Sequence, residues 1–227
     1  MSSPDDIWVV IPAFNEASRI RATLEELLPH QRNVVVVDDG SPDDTADVAR
    51  ACGVWVVRHP INRGQGAALQ TGIDFAHQRG AAIIVTFDAD GQHDPADIPA
   101  LLAPVLSGDA DIALGSRFLG TTVGMPLSRR IVLKLGVLFT RLASRIRVTD
   151  SHNGFRAFSR SAAEALRIRQ DRMAHASEIL DEIRRLGLRF REVPVTVRYT
   201  AATLAKGQSS WNAVRIVWQF LVGKVVK

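Results

Sequence analysis

Short, continuous runs of apolar residues alternate with longer segments of helical spacing along the first half of the chain. The runs are rich in Val and Ile and show little of the polar alternation of a strand that is wet on one face. Runs of this kind, separated by amphipathic segments, predict βαβ units around a mainly parallel sheet buried on both faces. The predicted strands of this α/β fold are Ile7–Ala13, Val34–Val37, Val54–Val57, Ala82–Phe87 and Asp111–Leu114.

Helical spacing fills the segments between these runs and dominates the second half. One alternating segment, Phe190–Tyr199, predicts a further strand. No internal repeat or low-complexity linker divides the sequence, so we expect one domain over residues 1–200 and a C-terminal loop and amphipathic helix over 201–227. The predicted helices are Glu16–Leu28, Asp43–Cys52, Gly66–Gln78, Ile98–Leu106, Leu127–Val148, Glu164–Arg169, Ser177–Leu186 and Trp211–Val226.

Polar residues cluster where three of the predicted strands end. Asn15-Glu16 follows the first strand, Asp38-Asp39 the second, and Asp88-Ala89-Asp90 the fourth. In an open parallel sheet these ends share one edge, and ligands bind in the crevice beyond it. A single cluster would be ordinary turn or cap chemistry, but three on one edge predict a ligand site.

The Asp88-Ala89-Asp90 cluster has the chemistry of a metal site. Two carboxylates at a strand end can converge on Mg²⁺ or Mn²⁺, hard cations that prefer oxygen ligands and keep positions open for phosphate oxygens. Gln92 offers a neutral oxygen nearby. His93 has two interpretations, as a manganese ligand or as a polar loop residue. Asp94-Pro95 predicts a helix N-cap followed by proline in the first turn.

Gly64-Gln65-Gly66 invites a dinucleotide-binding interpretation that its context opposes. The dinucleotide fingerprint follows the first strand and has a third glycine, whereas these glycines follow the third predicted strand and position 69 is Leu69. A tight turn with close packing of a helix start is favoured. A nicotinamide enzyme, which would need no divalent cation, is the weaker alternative.

The formal net charge of +4 hides two halves of opposite sign. Residues 1–111 contain 17 Asp or Glu and 7 Lys or Arg, whereas residues 112–227 contain 7 and 21. This asymmetry indicates an anionic partner for the second half. In the helix predicted over Leu127–Val148, four basic residues fall within a stripe of about 60°, with apolar residues opposite. The basic residues are Arg130, Lys134, Arg141 and Arg145, and the apolar residues are Leu135, Phe139, Leu142 and Ile146.

The basic stripe has three interpretations. A solvated surface explains any single arginine. Nucleic acid is disfavoured because no nucleic-acid motif or aromatic stacking set accompanies the charge. A membrane surface is favoured, because Lys and Arg beside Trp, Leu and Phe are typical of interfacial helices, here and in Trp211–Val226. Packing onto the domain is the alternative for Trp211–Val226.

Composition excludes several classes of protein. A chain that is 46% hydrophobic and 23% charged is globular rather than disordered. The single cysteine, Cys52, excludes a disulfide framework and a Cys-rich zinc site. No run approaches the ~20 apolar residues of a spanning helix, and the acidic start lacks the pattern of a signal segment, so cytoplasmic residence is expected.

Six segments resemble, in order, the motifs of a known family. The chain is similar to family 2 glycosyltransferases with the GT-A fold, and especially to the dolichol-phosphate mannose synthase-like branch, which includes bacterial polyprenyl-phosphate glycosyltransferases. Within that fold, residues 1–118 would form the nucleotide-sugar and metal half and residues 119–200 the acceptor half. The segments are VVIPAFNEASRI (9–20), VVVVDDGSPDDT (34–45), NRGQGAALQTGIDFA (62–76), FDADGQHDP (87–95), GSRF (115–118) and NGFRAF (153–158).

The resemblance implies a nucleotide-sugar site at the loops after the first two strands and at the aspartate cluster. The metal would be held by Asp88, Asp90 and Gln92, with Ala89 part of the sugar-nucleotide site. Position 14 is often tyrosine in the eukaryotic synthases, so Phe14 keeps ring stacking and loses a hydroxyl contact. The residues implied for the base and ribose are Pro12, Ala13, Phe14, Glu16, Val37 and Asp39.

The resemblance also implies cationic groups near the phosphates. Arg117 would face the diphosphate or the acceptor phosphate. Arg198 and Lys206 would approach the phosphates from a mobile segment, although their spacing is longer than the Arg-to-Lys spacing of the eukaryotic synthases. The catalytic residues implied are Asp90, Asp150 and Arg117.

The choice of acceptor decides whether a general base is needed. Family members invert the anomeric centre by direct displacement, and a hydroxyl acceptor would then need a base, for which Asp150 and Glu178 are the candidates. A phosphate acceptor is already anionic and needs only orientation by arginines. Asp150 would then position loops instead of taking a proton.

The implied function is metal-dependent, inverting transfer of a sugar from a nucleotide-diphosphate sugar to a polyprenyl phosphate in cell-envelope synthesis. The enzyme would be peripheral at the inner, cytoplasmic face of the cell membrane. The alternatives are a family 2 enzyme with a saccharide or other hydroxyl acceptor, and a non-catalytic nucleotide- or membrane-binding module. The sequence leaves open the sugar, UDP or GDP, the oligomeric state and a separate membrane-protein anchor.

Overall fold

The computed structural model describes residues 6–144, 146–170 and 175–199. Arg145, Lys206 and the helix predicted over Trp211–Val226 lie outside these ranges, and the side chain of Leu142 is not described. The strands are β1 (Ile7–Ala13), β2 (Asn33–Asp38), β3 (Trp55–Arg58), β4 (Ile83–Thr86), β5 (Ile112–Val123), β6 (Arg156–Ser159) and β7 (Phe190–Arg198). The helices are α1 (Ile20–Leu27), α2 (Thr45–Ala51), α3 (Gln65–Gln78), α4 (Ile98–Leu106), α5 (Leu127–Ser144), α6 (Arg160–Ala165) and α7 (His175–Arg185).

These strands form one seven-stranded sheet in the order β3-β2-β1-β4-β6-β5-β7. Strands β1 to β4 pair in parallel, as do β5 and β7, whereas β6 runs antiparallel to β4 and β5. The predicted mainly parallel α/β sheet is confirmed. Because β1, β2 and β4 are parallel, the loops that follow them emerge at one edge of the sheet.

The core lies on both faces of this sheet. Val9 and Val10, neighbours on β1, are both fully buried and belong to opposite apolar layers. One layer includes α1 and α4, and the other includes α3, α6 and α7. A strand buried on both faces has no polar side to alternate with, which explains the continuous Val and Ile runs.

Three elements differ from the sequence prediction. Strand β6 was not predicted, because it is only four residues long and includes Arg156 and Ser159. The helix predicted over Glu164–Arg169 is wrong. Helix α6 instead spans Arg160–Ala165, where the Ser159 side chain accepts a hydrogen bond from the backbone N–H of Ala162, and the chain turns extended at Leu166. Helix α5 ends at Ser144 rather than Val148.

The Gly64-Gln65-Gly66 segment is a turn into a closely packed helix, as predicted. Gly64 precedes α3 with φ of 102°, which favours glycine. A Cβ on Gly66 would lie 2.0 Å from the backbone oxygen of Gln170. Asp94 also confirms its predicted cap, because its carboxylate accepts from the N–H of Ala96 ahead of the 3₁₀ turn Pro95–Asp97.

Candidate active site

An open cavity of about 400 Å³ lies at the carboxyl edge of β1, β2 and β4. All three predicted polar clusters contribute to it, together with the start of α3, the start of α7 and the loop before β6. The lining residues are Pro12, Ala13, Phe14, Glu16, Asp39, Asn62, Gly64, Gln65, Ala68, Asp88, Ala89, Asp90, His152, Gly154, Arg156, His175 and Ala176.

The loops after β1 and β2 are tied together along one wall of the cavity. The backbone N–H of Asn15 donates to Ser41 Oγ at 3.0 Å, and that of Glu16 donates to Thr45 Oγ1 at 2.9 Å. Asn15 has φ of 56°, a conformation that asparagine tolerates better than most residues. Phe14, next to it, is 40% exposed and presents an aromatic face at the mouth.

Asp39 anchors the loop between β3 and α3. Its Oδ1 accepts from His59 Nδ1 at 2.7 Å and from the N–H of Arg63 at 3.0 Å, and its Oδ2 accepts from the N–H of Gly64 at 2.6 Å. His59 Nε2 lies 3.0 Å from Thr71 Oγ1. The predicted contact residue therefore lines the cavity, held in place by three hydrogen bonds that leave Oδ2 able to accept another.

Asp88 and Asp90, the aspartates of the third cluster, are close enough for the charge of one to shift the pKa of the other. Burial raises the pKa of Asp90, and the charge of Asp88 raises it further. Burial also raises the pKa of Asp88, but the hydrogen bond and charge of His93 and the charges of Arg156 and His175 outweigh it, so the net pKa of Asp88 is lowered. Two half-buried carboxylates whose charges disfavour each other in this way would be stabilised by a bound cation.

His93 holds Asp88 in place. Its Nε2 lies 2.9 Å from Asp88 Oδ2, and its ring packs among Phe87 and Phe155 with centroid distances of 5.5 and 5.1 Å. Only 3% of His93 is exposed. Of the two interpretations from sequence, neither a manganese ligand nor a free loop residue describes it, since it orients the carboxylate.

The residues present fit a hard divalent cation. Among the described residues, no group of three or more His, Cys, Asp or Glu gathers in a metal-holding arrangement, so the protein offers two carboxylates. Mg²⁺ and Mn²⁺ bind in this manner when phosphate oxygens and water complete the coordination. Gln92 does not line the cavity, and its backbone N–H donates to Asp90 Oδ1 at 3.1 Å.

Behind the cavity, Arg117 and Asp150 form a buried ion pair. Arg117 Nε lies 2.6 Å from Asp150 Oδ2, and the backbone N–H of Arg117 donates to the same oxygen at 3.1 Å. Arg117 Nη1 donates to Tyr199 Oη at 2.7 Å and Nη2 to the carbonyl of His152 at 2.9 Å. Burial lowers the pKa of Arg117, but Asp150 and Tyr199 raise it to a net upward shift.

The chain that forms this cavity matches a known enzyme family. The model of glycosyl transferase family 2 matches residues 8–167. The chain belongs to glycosyl transferase family 2. It is therefore a glycosyltransferase, and the predicted family resemblance is confirmed.

Two curated relatives act on lipid phosphates according to their names. UDP-N-acetylglucosamine–dolichyl-phosphate N-acetylglucosaminyltransferase of Methanococcus voltae is 34% identical, over 97% of this chain and 97% of its own. Undecaprenyl-phosphate mannosyltransferase of Micrococcus luteus is 34% identical, over 84% of this chain and 82% of its own.

A solved structure shares the GT-A architecture. Glucosyl-3-phosphoglycerate synthase of Mycobacterium tuberculosis, in complex with phosphoglyceric acid, superimposes with a TM-score of 0.73 at 25% identity, over 95% of this chain and 77% of that chain. The same enzyme has also been crystallised with Mn²⁺ and UDP-glucose. The predicted GT-A fold is confirmed.

The family 2 cavity gathers most of the residues predicted for the nucleotide sugar but not all of them. Val37 is fully buried and packs against α3, where a Cβ on Gly72 would meet it at 3.2 Å, so its side chain belongs to the core. Arg198 lies outside the cavity lining, paired with Asp94 and Glu26. The predicted residues that do line it are Pro12, Ala13, Phe14, Glu16, Asp39, Asp88, Ala89 and Asp90.

The two candidate bases of this glycosyltransferase are both engaged elsewhere. Asp150 is 4% exposed, is bonded to Arg117 and does not line the cavity. The Glu178 carboxylate accepts from the backbone N–H of Arg169 at 3.1 Å and of Gln170 at 2.8 Å. Glu178 therefore holds the backbone at Arg169 and Gln170.

The sequence prediction missed the residues that β6 and α7 bring to the cavity. They include His152, Gly154, Arg156 and His175. Gly154 and Arg156 belong to the NGFRAF segment, which the family resemblance had singled out. Because β6 was not predicted, the sequence did not indicate that Arg156 lies beside β4. Burial lowers the pKa of Arg156 to about 10, although the charges of Asp88 and Asp150 oppose that shift.

The raised pKa of Asp90 predicts a stability effect in the metal-free protein. A carboxyl whose folded pKa is raised costs stability above that pKa, and the cost disappears as the pH falls through it. Asp90→Asn should therefore raise the Tm in EDTA at neutral pH by about 2–4 °C, the shift that roughly 1 kcal/mol produces in a chain of this size. Calorimetry against Asp74→Asn on the exposed face of α3 checks it; an unchanged or lower Tm at neutral pH would contradict it.

Proposed function

We propose that this family 2 enzyme transfers a sugar from a nucleotide-diphosphate sugar to a polyprenyl phosphate, with inversion, using Mg²⁺ or Mn²⁺. The observation that carries the proposal is the half-buried Asp88 and Asp90 pair in a cavity whose other walls hold the aromatic ring of Phe14 and the acceptor Asp39. The lipid-phosphate names of the two curated relatives support the acceptor class.

The donor side follows from the two loops that Ser41 and Thr45 tie together. Phe14 would stack on the base, with Asp39 accepting from it or from the ribose. Asp88 and Asp90 would hold the metal, which supplies charge neutralisation for the departing diphosphate. His93 and the close contact of Gly154 keep Asp88 oriented toward that position.

The state of the cavity carboxylates favours an acceptor that is already anionic. Among the described residues, the carboxylates that line the cavity are those of Glu16, Asp39, Asp88 and Asp90. Glu16 pairs with Arg19, Asp39 holds His59 and is proposed to bind the nucleoside, and the aspartate pair is assigned to the metal. A hydroxyl acceptor needs a general base in the site, whereas a phosphate does not. The cavity carboxylates therefore leave a saccharide hydroxyl without a carboxylate base, and such an acceptor would have to use His152 or His175, whereas a polyprenyl phosphate needs no base.

Helix α5 presents a surface suited to a membrane that carries such a lipid. Its buried side includes Val137 and Thr140. Leu135, which was predicted to lie opposite the basic stripe, is 60% exposed and next to the exposed Lys134. The large exposed aliphatic residues of α5 are Leu127, Ile131, Leu135 and Leu138.

Those four residues, together with Arg130 and Lys134, are here called the α5 face. A merely solvated helix would not expose four large aliphatic side chains in one row. Basic and aliphatic residues on one face are typical of helices that lie in the interface of an anionic bilayer. We therefore assign the α5 face to the cytoplasmic membrane surface. In the described ranges, no helix has both the length and the apolar character to cross a bilayer.

The proposal is tested by product formation. The enzyme would be incubated with vesicles that contain a polyprenyl phosphate and a panel of UDP-, GDP- and TDP-sugars, with Mn²⁺, with Mg²⁺ or with EDTA. We expect a lipid-linked sugar of inverted anomeric configuration that forms only with metal. Transfer only to a saccharide hydroxyl, or undiminished transfer in EDTA, would overturn it.

If the α5 face binds a membrane, its apolar and its basic residues should contribute to vesicle affinity in ways that can be measured separately. Ile131→Ser with Leu135→Ser should lower vesicle affinity by roughly tenfold or more whatever the lipid charge, because apolar area no longer enters the interface. Arg130→Gln with Lys134→Gln should lower it by roughly 30-fold on anionic vesicles, at about 1 kcal/mol for each of the two charges, and hardly at all on neutral ones. Cosedimentation measures both.

The matched control for charge is Arg21→Gln with Arg32→Gln, two basic positions at α1 and the loop after it. Its vesicle affinity should equal that of the wild type. If this pair weakens binding as much as Arg130→Gln with Lys134→Gln does, the attraction comes from net charge and not from the α5 face.

A further inference from the structure

Arg156 lines the cavity and has hydrogen-bonding capacity that the fold does not use. It is 3% exposed, and its Nη1 is buried without a hydrogen-bond partner. Arg156 sits on β6 between Thr86 of β4 and Leu114 of β5. Within the described ranges it forms no ion pair within 4.0 Å. A buried donor without a partner destabilises the fold, and a ligand that accepted from Nη1 would remove that penalty.

Arg117 shows how a purely structural arginine looks in the same region. Its Nε, Nη1 and Nη2 each donate to a protein oxygen, of Asp150, Tyr199 and His152. It does not line the cavity, whereas Arg156 does. The family resemblance implied Arg117 as the phosphate contact, but its guanidinium is bonded to the protein. The guanidinium of Arg156 lines the cavity and has an unpartnered Nη1.

The sheet order tells which side of the metal site Arg156 occupies. Strand β4 carries the Asp88 and Asp90 pair at its end, and β1 and β2, with the nucleotide loops, lie on one side of β4. Strand β6 lies on the other side. Arg156 therefore approaches the aspartate pair from the side opposite Phe14 and Asp39, where the group that attacks the sugar must enter for a displacement with inversion.

Its electrostatic surroundings keep the guanidinium ready for an anion. The charges of Asp88 and Asp150 both favour the charged form of Arg156, yet neither carboxylate takes a hydrogen bond from it. His152 and His175 also line the cavity. A guanidinium offers several N–H groups in a planar fork that matches a phosphoryl group with two parallel hydrogen bonds.

We propose that Arg156 is a phosphate-binding residue of the active site, which holds a phosphoryl oxygen of a bound substrate on the β6 side of Asp88. The proposal rests on the proposed glycosyl transfer. Two sources supply the same chemistry, the phosphate of the lipid acceptor and the diphosphate of the donor. Its position on the β6 side favours the acceptor.

The test compares Arg156→Lys and Arg156→Met with the wild type. Lysine keeps a positive charge between Asp88 and Asp150, so it preserves any electrostatic support of the fold, but it loses the planar fork. We expect Arg156→Lys to keep the wild-type Tm and still lose about tenfold in affinity for one phosphate substrate, the usual loss when a charge-assisted hydrogen bond is removed. Arg156→Met should lose at least as much.

Two measurements identify the phosphate. Calorimetric titration of UDP and GDP with Mn²⁺ reports the donor side, and the KM for polyprenyl phosphate in mixed micelles reports the acceptor side. A raised KM with unchanged nucleotide affinity assigns Arg156 to the acceptor, and a weakened nucleotide affinity assigns it to the donor. Arg160→Met, whose guanidinium bonds the carbonyl of Ala81 outside the cavity, is the control and should change neither constant.

The inference fails if both constants of Arg156→Lys and Arg156→Met stay within twofold of the wild type, or if Lys restores every constant and Met alters only the Tm. Failure of the proposed function is distinguishable, because it appears in the wild-type arm as an absence of transfer to polyprenyl phosphate from any nucleotide sugar.

Discussion

Gly154→Ala is expected to reduce sugar transfer by about 100-fold or more while the protein remains folded. A Cβ at this position would lie 2.3 and 2.4 Å from the two carboxylate oxygens of Asp88, well inside van der Waals contact. Asp88 is short and is held by His93 at 2.9 Å, so it can escape only by leaving its orientation. A displacement of about 1 Å at a catalytic group can cost 10² in rate.

The backbone itself does not forbid this substitution. Gly154 is not among the glycines with positive φ, so alanine adds no conformational strain there. The matched control is Gly136→Ala in α5, where a Cβ would meet only the His152 ring at 3.6 and 3.8 Å. Gly136→Ala should keep wild-type activity and, with alanine's better helix propensity, wild-type or slightly higher Tm.

Transfer rate and Mn²⁺ affinity are measured side by side for both variants. We expect Gly154→Ala to weaken Mn²⁺ binding in the presence of nucleotide as well as to slow transfer, since the displaced group is the proposed metal ligand. Wild-type Mn²⁺ affinity together with wild-type transfer in Gly154→Ala would show that the contact between Gly154 and Asp88 does not position the metal.

The part of the site that could be predicted from sequence is the part made by consecutive residues. Strand β4 is a continuous apolar run, and the two aspartates follow it directly, so the parallel-sheet rule alone puts them at the ligand edge. The same holds for Phe14 after β1 and Asp39 after β2. Each of these residues is placed by its own strand, without knowledge of any long-range contact.

The remainder depends on contacts between distant parts of the chain. His93 is five residues from Asp88, yet its orientation is fixed by Phe155, which reaches it only because β6 inserts next to β4. Strand β6 has no apolar run long enough to be recognised, so the position of Arg156 could not be inferred. Leu135 is likewise spaced four residues from Phe139 on the apolar side predicted for α5. Only the packing of α5 on the domain shows that Leu135 is exposed.

The two candidate roles of Asp150, base or structural anchor, make opposite predictions, and the structure favours the anchor. Asp150→Ala is expected to lower the free energy of unfolding by about 3–5 kcal/mol, the usual effect of breaking a buried ion pair. The reason is that Arg117, 7% exposed, would keep its charge and lose the partner at 2.6 Å. Denaturant unfolding measures this loss. Asp47→Ala, which breaks an exposed pair with Arg50, is the control and should change stability far less.

A double variant separates the pair from the individual side chains. With both charges removed in Asp150→Asn with Arg117→Met, no uncompensated ion remains, so the double variant should be more stable than Asp150→Ala with Arg117 intact. A general base behaves differently: its loss would lower kcat at unchanged stability. If Asp150→Asn keeps the wild-type unfolding curve but loses turnover, Asp150 acts as a general base. A hydroxyl acceptor is then favoured over a phosphate. If stability falls and the residual folded enzyme still turns over, the ion pair anchors the fold and Asp150 takes no part in the reaction.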